Sequence, residues 1–137
     1  MSISTTASGG FSIPLSAISE IVNSATLTTA TNPNTITLNL ALGNLFVAST
    51  SPTAAITITI SNPPAAGRSV AVSLICPQGS TGYFGSTISI SGGSVTFKQL
   101  GGSAPTVTAN QDAIFSYIIR CTAANTYTVY ASSSSFN

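Results

Sequence analysis

A chain of 137 residues is long enough for one domain with a real core and too short for two comfortable ones. Only 4% of it is charged, against about a quarter in ordinary soluble domains, and the full ionic inventory is Glu20, Arg68, Lys98, Asp112 and Arg120, with no histidine. Three scattered cations exclude a nucleic-acid surface, which needs clustered positive charge to release counterions, and the absence of histidine removes the commonest general base.

Serine and threonine supply nearly a third of the residues, and 43% are hydrophobic, so the polar surface is built from hydroxyls and amides. A net charge of +1 gives little colloidal repulsion, and a surface of this kind favours association. Disorder is not implied, because disordered chains combine low hydrophobicity with high net charge. The start, "MSISTTASGGFSIPLSAISEIV", lacks a basic segment followed by a continuous apolar one, and no run of 18 apolar residues occurs anywhere. The expectation is a chain made in a cytoplasm and acting as a soluble or assembled body.

Residues 1–31 read as a low-complexity N-terminal arm, and residues 32–137 as the β domain. Within the arm, "IPLSAISEIV" is compatible with one or two helical turns, or with a strap laid along a neighbouring subunit. From residue 35 strict period-two alternation takes over. "TITLNLAL" puts Ile36, Leu38, Leu40 and Leu42 on one side, and "AITITIS" does the same for Ile56, Ile58 and Ile60. "SVAVSLIC" continues with Val70, Val72, Leu74 and Cys76; "STISI" contributes Ile88 and Ile90, and "SVTFK" contributes Val95 and Phe97. Gly92 and Gly93 lie between those two, a tight-hairpin signal. "AIFSYIIRC" then brings Phe115, Tyr117, Ile119 and Cys121 into phase, and "NTYTVYA" brings Tyr127, Val129 and Ala131. With "LFVA" and "PTVT" as shorter candidates, eight or nine strands are expected.

Turn residues fall where the alternation stops: Gly43-Asn44, Ser51-Pro52, Asn62-Pro63-Pro64, Pro77 to Gly82, Gly101-Gly102, and Asn110 to Asp112. Short strands at this spacing predict an all-β fold, a single antiparallel β-sandwich of jelly-roll-like type with an extended N-terminal arm. The threonine alternation in "TITL", "TIT" and "TYT" invites comparison with ice-binding arrays. Such arrays need threonines stacked in register, and the unequal distances between the stretches argue against stacking.

The chemistry is sparse. Cys76 and Cys121 fit no C-x-x-C spacing and make no zinc site; both fall in the apolar phase of their strands, so buried thiols are expected, with a disulfide as the other possibility. Glu20 and Asp112 are the only carboxylates available to a two-carboxylate hydrolase, one in the arm and one in a turn, and no enzymatic activity is expected. Lys98, the only base a serine nucleophile would have, is expected to be a solvated charge that blunts an edge strand. "PQGSTGYFGST" has glycines but no GK[ST] and no following helix, hence no phosphate loop. Its Tyr83 and Phe84 are candidates for a subunit contact or a sugar-stacking site, or for rings folded back onto the sheet edge. Asp112, in "ANQDA", is placed to stabilise a turn by accepting backbone N–H bonds.

The C-terminal third, "GGSVTFKQLGGSAPTVTANQDAIFSYIIRCTAANTYTVYA", has a distinctive outline: a hairpin, GG-x-x-P-x-x-T, a polar loop ending in Asp, and two aromatic-bearing strands. Carried by Gly101, Gly102, Pro105, Thr108, Asp112, Phe115, Tyr117, Tyr127 and Tyr130, it resembles a segment found at the end of tailed-bacteriophage virion proteins, including those of cyanobacterial and marine phages. Leu100 and Tyr127 stand near the places where that segment carries tryptophans. The resemblance spans about 40 residues and implies a virion structural or fibre-associated β domain. Together with the composition it leads to the expectation of a capsid decoration (cement) protein, located in the virion and assembled in the host cytoplasm. Such a protein binds across capsomer junctions and stabilises the shell by mass action. Its partners would be the major capsid protein and itself, as a trimer or dimer, with no nucleic acid, membrane, metal or cofactor. The alternative is a tail-fibre or other receptor-binding module contacting host-surface glycans through Tyr83, Phe84 or Tyr130.

Overall fold

The computed structural model describes residues 19–137, together with the backbone of a short antiparallel pair, β1 (Ser4–Thr5) and β2 (Phe11–Ser12). The segment expected to be helical or strap-like lies outside the described residues up to position 18, and residues 19–22 are exposed irregular backbone. Ten strands follow: β3 (Asn23–Ala25), β4 (Leu27–Thr28), β5 (Asn34–Asn39), β6 (Leu45–Ala48), β7 (Ile56–Ser61), β8 (Ser69–Pro77), β9 (Thr87–Ile90), β10 (Ser94–Gln99), β11 (Asp112–Ala123) and β12 (Thr126–Phe136). Among the described residues the one helical element is a 3₁₀ turn at Leu100–Gly102. β3 and β4 carry both sheets into the segment before residue 32.

The fold is all-β, with two principal sheets. One has six strands in the order β10-β12-β11-β8-β6-β3, and the other has four in the order β4-β5-β7-β9. From β5 to β10 each successive strand changes sheet, so the chain winds as a coil with two strands per turn. Each strand returning to a sheet therefore lies parallel to the previous one there: β5, β7 and β9 in one sheet, β6 and β8 in the other. β3 lies parallel to β6, while the long hairpin β11–β12 inserts antiparallel to β8, with β10 parallel to β12 on the outside.

The antiparallel, jelly-roll-like arrangement expected from the alternation is thus corrected on strand direction: both sheets are mixed. Alternation reports which face is buried, and it is blind to whether the next strand pairs as a neighbour or crosses to the opposite sheet. Gly92 shows the ambiguity. Its φ of 69° and the bond from Gly93 N–H to the Ile90 carbonyl do make a tight turn. That turn is a corner between sheets, because β9 and β10 belong to different ones. The two-residue hairpin is elsewhere, at Ala124–Asn125, where Asn125 takes the left-handed conformation.

One core joins the inward faces. Leu38, Ile58 and Ile60 from the four-stranded sheet meet Phe46, Leu74, Phe115, Tyr117 and Val129 from the six-stranded one, all of them fully or almost fully buried. Burial of one such side chain is worth about 1.5–3 kcal/mol, so this phase is what pins the register of every strand. "PTVT" is not a strand. Residues 103–110 form a cap in which Val107 packs against the core and the Thr108 N–H donates to Ser135 Oγ at 3.2 Å. Gly82 lies so close to the Val107 carbonyl that a Cβ there has no room.

Candidate functional site

The outward face of the six-stranded sheet carries the candidate site. Register alone aligns two rows across it. Lys98, Tyr130, Ile118 and Ala71 stand side by side on β10, β12, β11 and β8, and Ser132, Ser116, Ser73 and Leu45 form the next row on β12, β11, β8 and β6. Neighbouring strands lie about 4.8 Å apart, so each side chain touches those flanking it. Three serines side by side make a low floor between taller side chains. At the β10 end, the 3₁₀ turn lifts Leu100 over that floor. The result is an open groove of about 670 Å³ bordered by Leu100, Ile118, Tyr130 and the Lys98 stem.

These borders are exposed: Leu100 at 76%, Ile118 at 50% and Tyr130 at 41%. A single exposed leucine is ordinary; here three large apolar side chains border one groove. Lys98 adds the groove's one charge, from the edge strand where a solvated lysine was expected.

Of the three aromatic residues proposed from sequence as contacts, Tyr130 lies in this groove, while Tyr83 and Phe84 do not. Phe84 is 8% exposed and belongs to the core. Its ring meets Phe115 edge-on at 5.1 Å and stacks on Tyr117 at 6.2 Å, so its role as a surface contact is corrected to a packing one. Tyr83 is half-buried against the same core, its N–H donating to Gln78 Oε1 at 2.8 Å. Asp112 is exposed at the start of β11, opposite Pro77 and Phe136. The turn before it is made instead by Asn110, which adopts a φ of 56° and donates its N–H to the Gly79 carbonyl. Asparagine's tolerance of the left-handed region supplies what the Asp112 carboxylate was expected to supply. In the sequence Leu100 was notable only for standing near a tryptophan place of the resembling segment, and Ile118 was not proposed as a contact. The signal for Ile118 was its place out of the apolar phase, on the face shared by Ile114, Ser116 and Arg120.

The opposite charges on β11 are far apart. Asp112 and Arg120 are eight residues apart on β11, about 27 Å at the strand rise, so they do not pair. Cys76 lies opposite Ala113, again eight positions from Cys121, far beyond the roughly 7 Å that a disulfide tolerates between Cα atoms. Both thiols are free and buried. Among the described residues no three of His, Cys, Asp and Glu are grouped closely enough to hold a metal ion, and no helix is long and apolar enough to cross a membrane.

Burial pushes the Cys76 thiol up to about 12; a hydrogen bond with Gln78 opposes this and the Asp112 charge adds to it. The unfolded chain loses this proton near 9 and the folded one near 12, so between those values the unfolded state binds fewer protons and stability falls as pH rises. Burial raises Tyr117 and Tyr127 as well, in the same direction. Melting curves from pH 8 to 11 are expected to show a steady drop in Tm, reduced in Cys76→Ala. Native protein at pH 8 is expected to leave Ellman's reagent unreacted until denaturant is added.

No protein-family model, curated protein or solved structure matches the chain.

Proposed function

We propose that this chain is a non-enzymatic structural protein of a virion, one that decorates a phage capsid and stabilises it by binding across capsomer junctions. The observation that carries the reading is the groove, with Leu100, Ile118 and Tyr130 exposed on a chain that has almost no surface charge. A cement protein works by covering subunit junctions, and apolar anchors beside small hydroxyls are suited to that: the anchors provide affinity, while the low charge permits close approach to a dense shell. The mixed two-sheet body, read as a sandwich-like scaffold, holds these anchors on strands rather than loops, and so in fixed positions. The partners under this reading are the major capsid protein and further copies of the chain, and the place of action is the virion.

The test is co-sedimentation with purified shells that lack the chain. Wild type is expected to bind in hundreds of copies per shell. The double variant Leu100→Ser, Ile118→Ser is expected to lose more than about 2 kcal/mol, on the order of a thirtyfold drop in affinity, with its Tm unchanged. Wild-type binding of a handful of copies, or an unaffected double variant, would overturn the decoration reading.

A second reading follows from Tyr130, whose exposed ring lies beside a row of serine hydroxyls. A ring face flanked by hydroxyls suits a sugar, and the chain would then be a tail-fibre or other receptor-binding module for host-surface glycans. Here Tyr130→Ala abolishes signal on an array of surface polysaccharides, while a wild type that binds none of them removes this reading.

A further inference from the structure

The outward face of the four-stranded sheet lacks the groove's large apolar borders and its lysine. β5 pairs with β7, and β7 with β9, parallel and without a bulge. This register aligns Thr28, Thr35, Thr57 and Thr87 in one rank across β4, β5, β7 and β9, and Thr37, Thr59 and Ser89 in the next. A third short rank pairs Asn39 with Ser61. The unequal distances between the threonine stretches, which argued against stacking, are taken up by strands and loops of the other sheet.

Within a rank the side chains repeat about every 4.8 Å, and along each strand about every 6.6 Å. Threonine is stiff at χ1, so methyl and hydroxyl positions repeat with the backbone instead of fluctuating independently. None of the five charged residues lies on these four strands. Beside the short β4, the array opens into a hydroxyl-lined trough of about 390 Å³ bordered by Ser24, Thr26, Thr28 and Thr37.

The chemistry of the face narrows its occupant. An anion or nucleic acid would need cations, and the face has none. A crystalline polysaccharide would need aromatic platforms, and a protein partner larger apolar anchors; the two main ranks offer only methyls and hydroxyls, and the third adds the Asn39 amide. What matches a rigid, uncharged, two-dimensional lattice is another lattice with similar repeats. On the prism face of hexagonal ice one oxygen repeat is close to the spacing within a rank and the other is somewhat longer than the spacing along the strand, so hydroxyls and methyl-bounded gaps in this arrangement would favour water positions that continue into it. We infer that the threonine ranks on β4, β5, β7 and β9 form an ice-binding surface.

The experiment is nanolitre osmometry with ice-crystal imaging, on the full chain and on variants whose folding is checked by circular dichroism. Wild type is expected to facet growing ice and to open a gap between its melting and freezing points. Thr37→Lys and Thr59→Lys, each placing a charge in the second rank, are expected to lose both effects. Thr96→Lys, exposed on β10 of the opposite sheet, is expected to keep both. If one rank variant fails to fold, the other carries the comparison, since Thr37 is exposed on β5. Folded wild type that leaves ice crystals unfaceted overturns the inference, as does activity that survives in a folded rank variant. Neither outcome bears on the groove of the other sheet.

Discussion

Tyr117→Ala is expected to bring the protein close to unfolding. Tyr117 is 1% exposed on the central strand β11, stacks on Phe84 and donates its hydroxyl proton to the Gly85 carbonyl at 2.8 Å. Truncation removes the ring and leaves a cavity against Phe84, worth about 3–5 kcal/mol in comparable aromatic deletions. It also leaves the buried Gly85 carbonyl without a partner, an additional cost of about 1–3 kcal/mol. A domain of this size has about 5–15 kcal/mol in total. Tyr117→Phe isolates the hydrogen bond and is expected to lose only about 1–2 kcal/mol. Urea titration followed by near-ultraviolet circular dichroism checks both; an alanine variant as stable as wild type would mean that this cluster does not hold the 78–86 loop. Gly85→Ala attacks the same contact from the other side, since a Cβ there would stand 2.5 Å from both Ile58 Cδ1 and the Tyr117 hydroxyl.

The second large effect is expected at Asn34, one of two buried polar residues among those described and fully enclosed at the start of β5. Its Oδ1 accepts from the Thr53 N–H at 2.7 Å and the Ala54 N–H at 3.1 Å, while its Nδ2 donates to the Thr31 carbonyl at 2.8 Å. One amide thus ties the loop before β7 to the loop before β5, and fixes the offset between two strands of the threonine face. Asn34→Ala removes these three bonds together with the longer contact to the Thr53 hydroxyl, and is expected to cost about 2–3 kcal/mol, read as a lower denaturation midpoint with an unchanged slope. Asn34→Asp keeps the acceptor, loses the donor and buries a charge. Its stability is therefore expected to improve on acidification through the carboxylate range, where wild type does not improve.

These two residues also show how far the sequence reached. Tyr117 was placed in the core by its phase alone, because alternation in "AIFSYIIRC" leaves one choice of inward face. Asn34 gave no such signal: an asparagine between a proline and a threonine reads as turn chemistry, and only the approach of residues 53 and 54 makes it a buried tie. Phe84 failed for a related reason. A ring among glycines and serines looks exposed until the neighbouring strands arrive to cover it, and those strands are remote in sequence. β3 and β4 were missed because two or three residues are too few to display a period.

The sequence by itself determined what depends on local pattern: an all-β chain, eight of its strands, most of their inward residues, the solvated Lys98 and the burial of both cysteines. All of these follow from period two and from which side chains water rejects. Leu42, expected inward, lies past the end of β5 and is 60% exposed. Tertiary structure alone decided strand direction and partnership, because a turn between two alternating segments serves a hairpin and a crossover equally well. Those pairings produced the two surfaces. Register across β8, β11, β12 and β10 made a groove from residues with no common motif, and register across β5, β7 and β9 stacked threonines that unequal spacing had appeared to scatter.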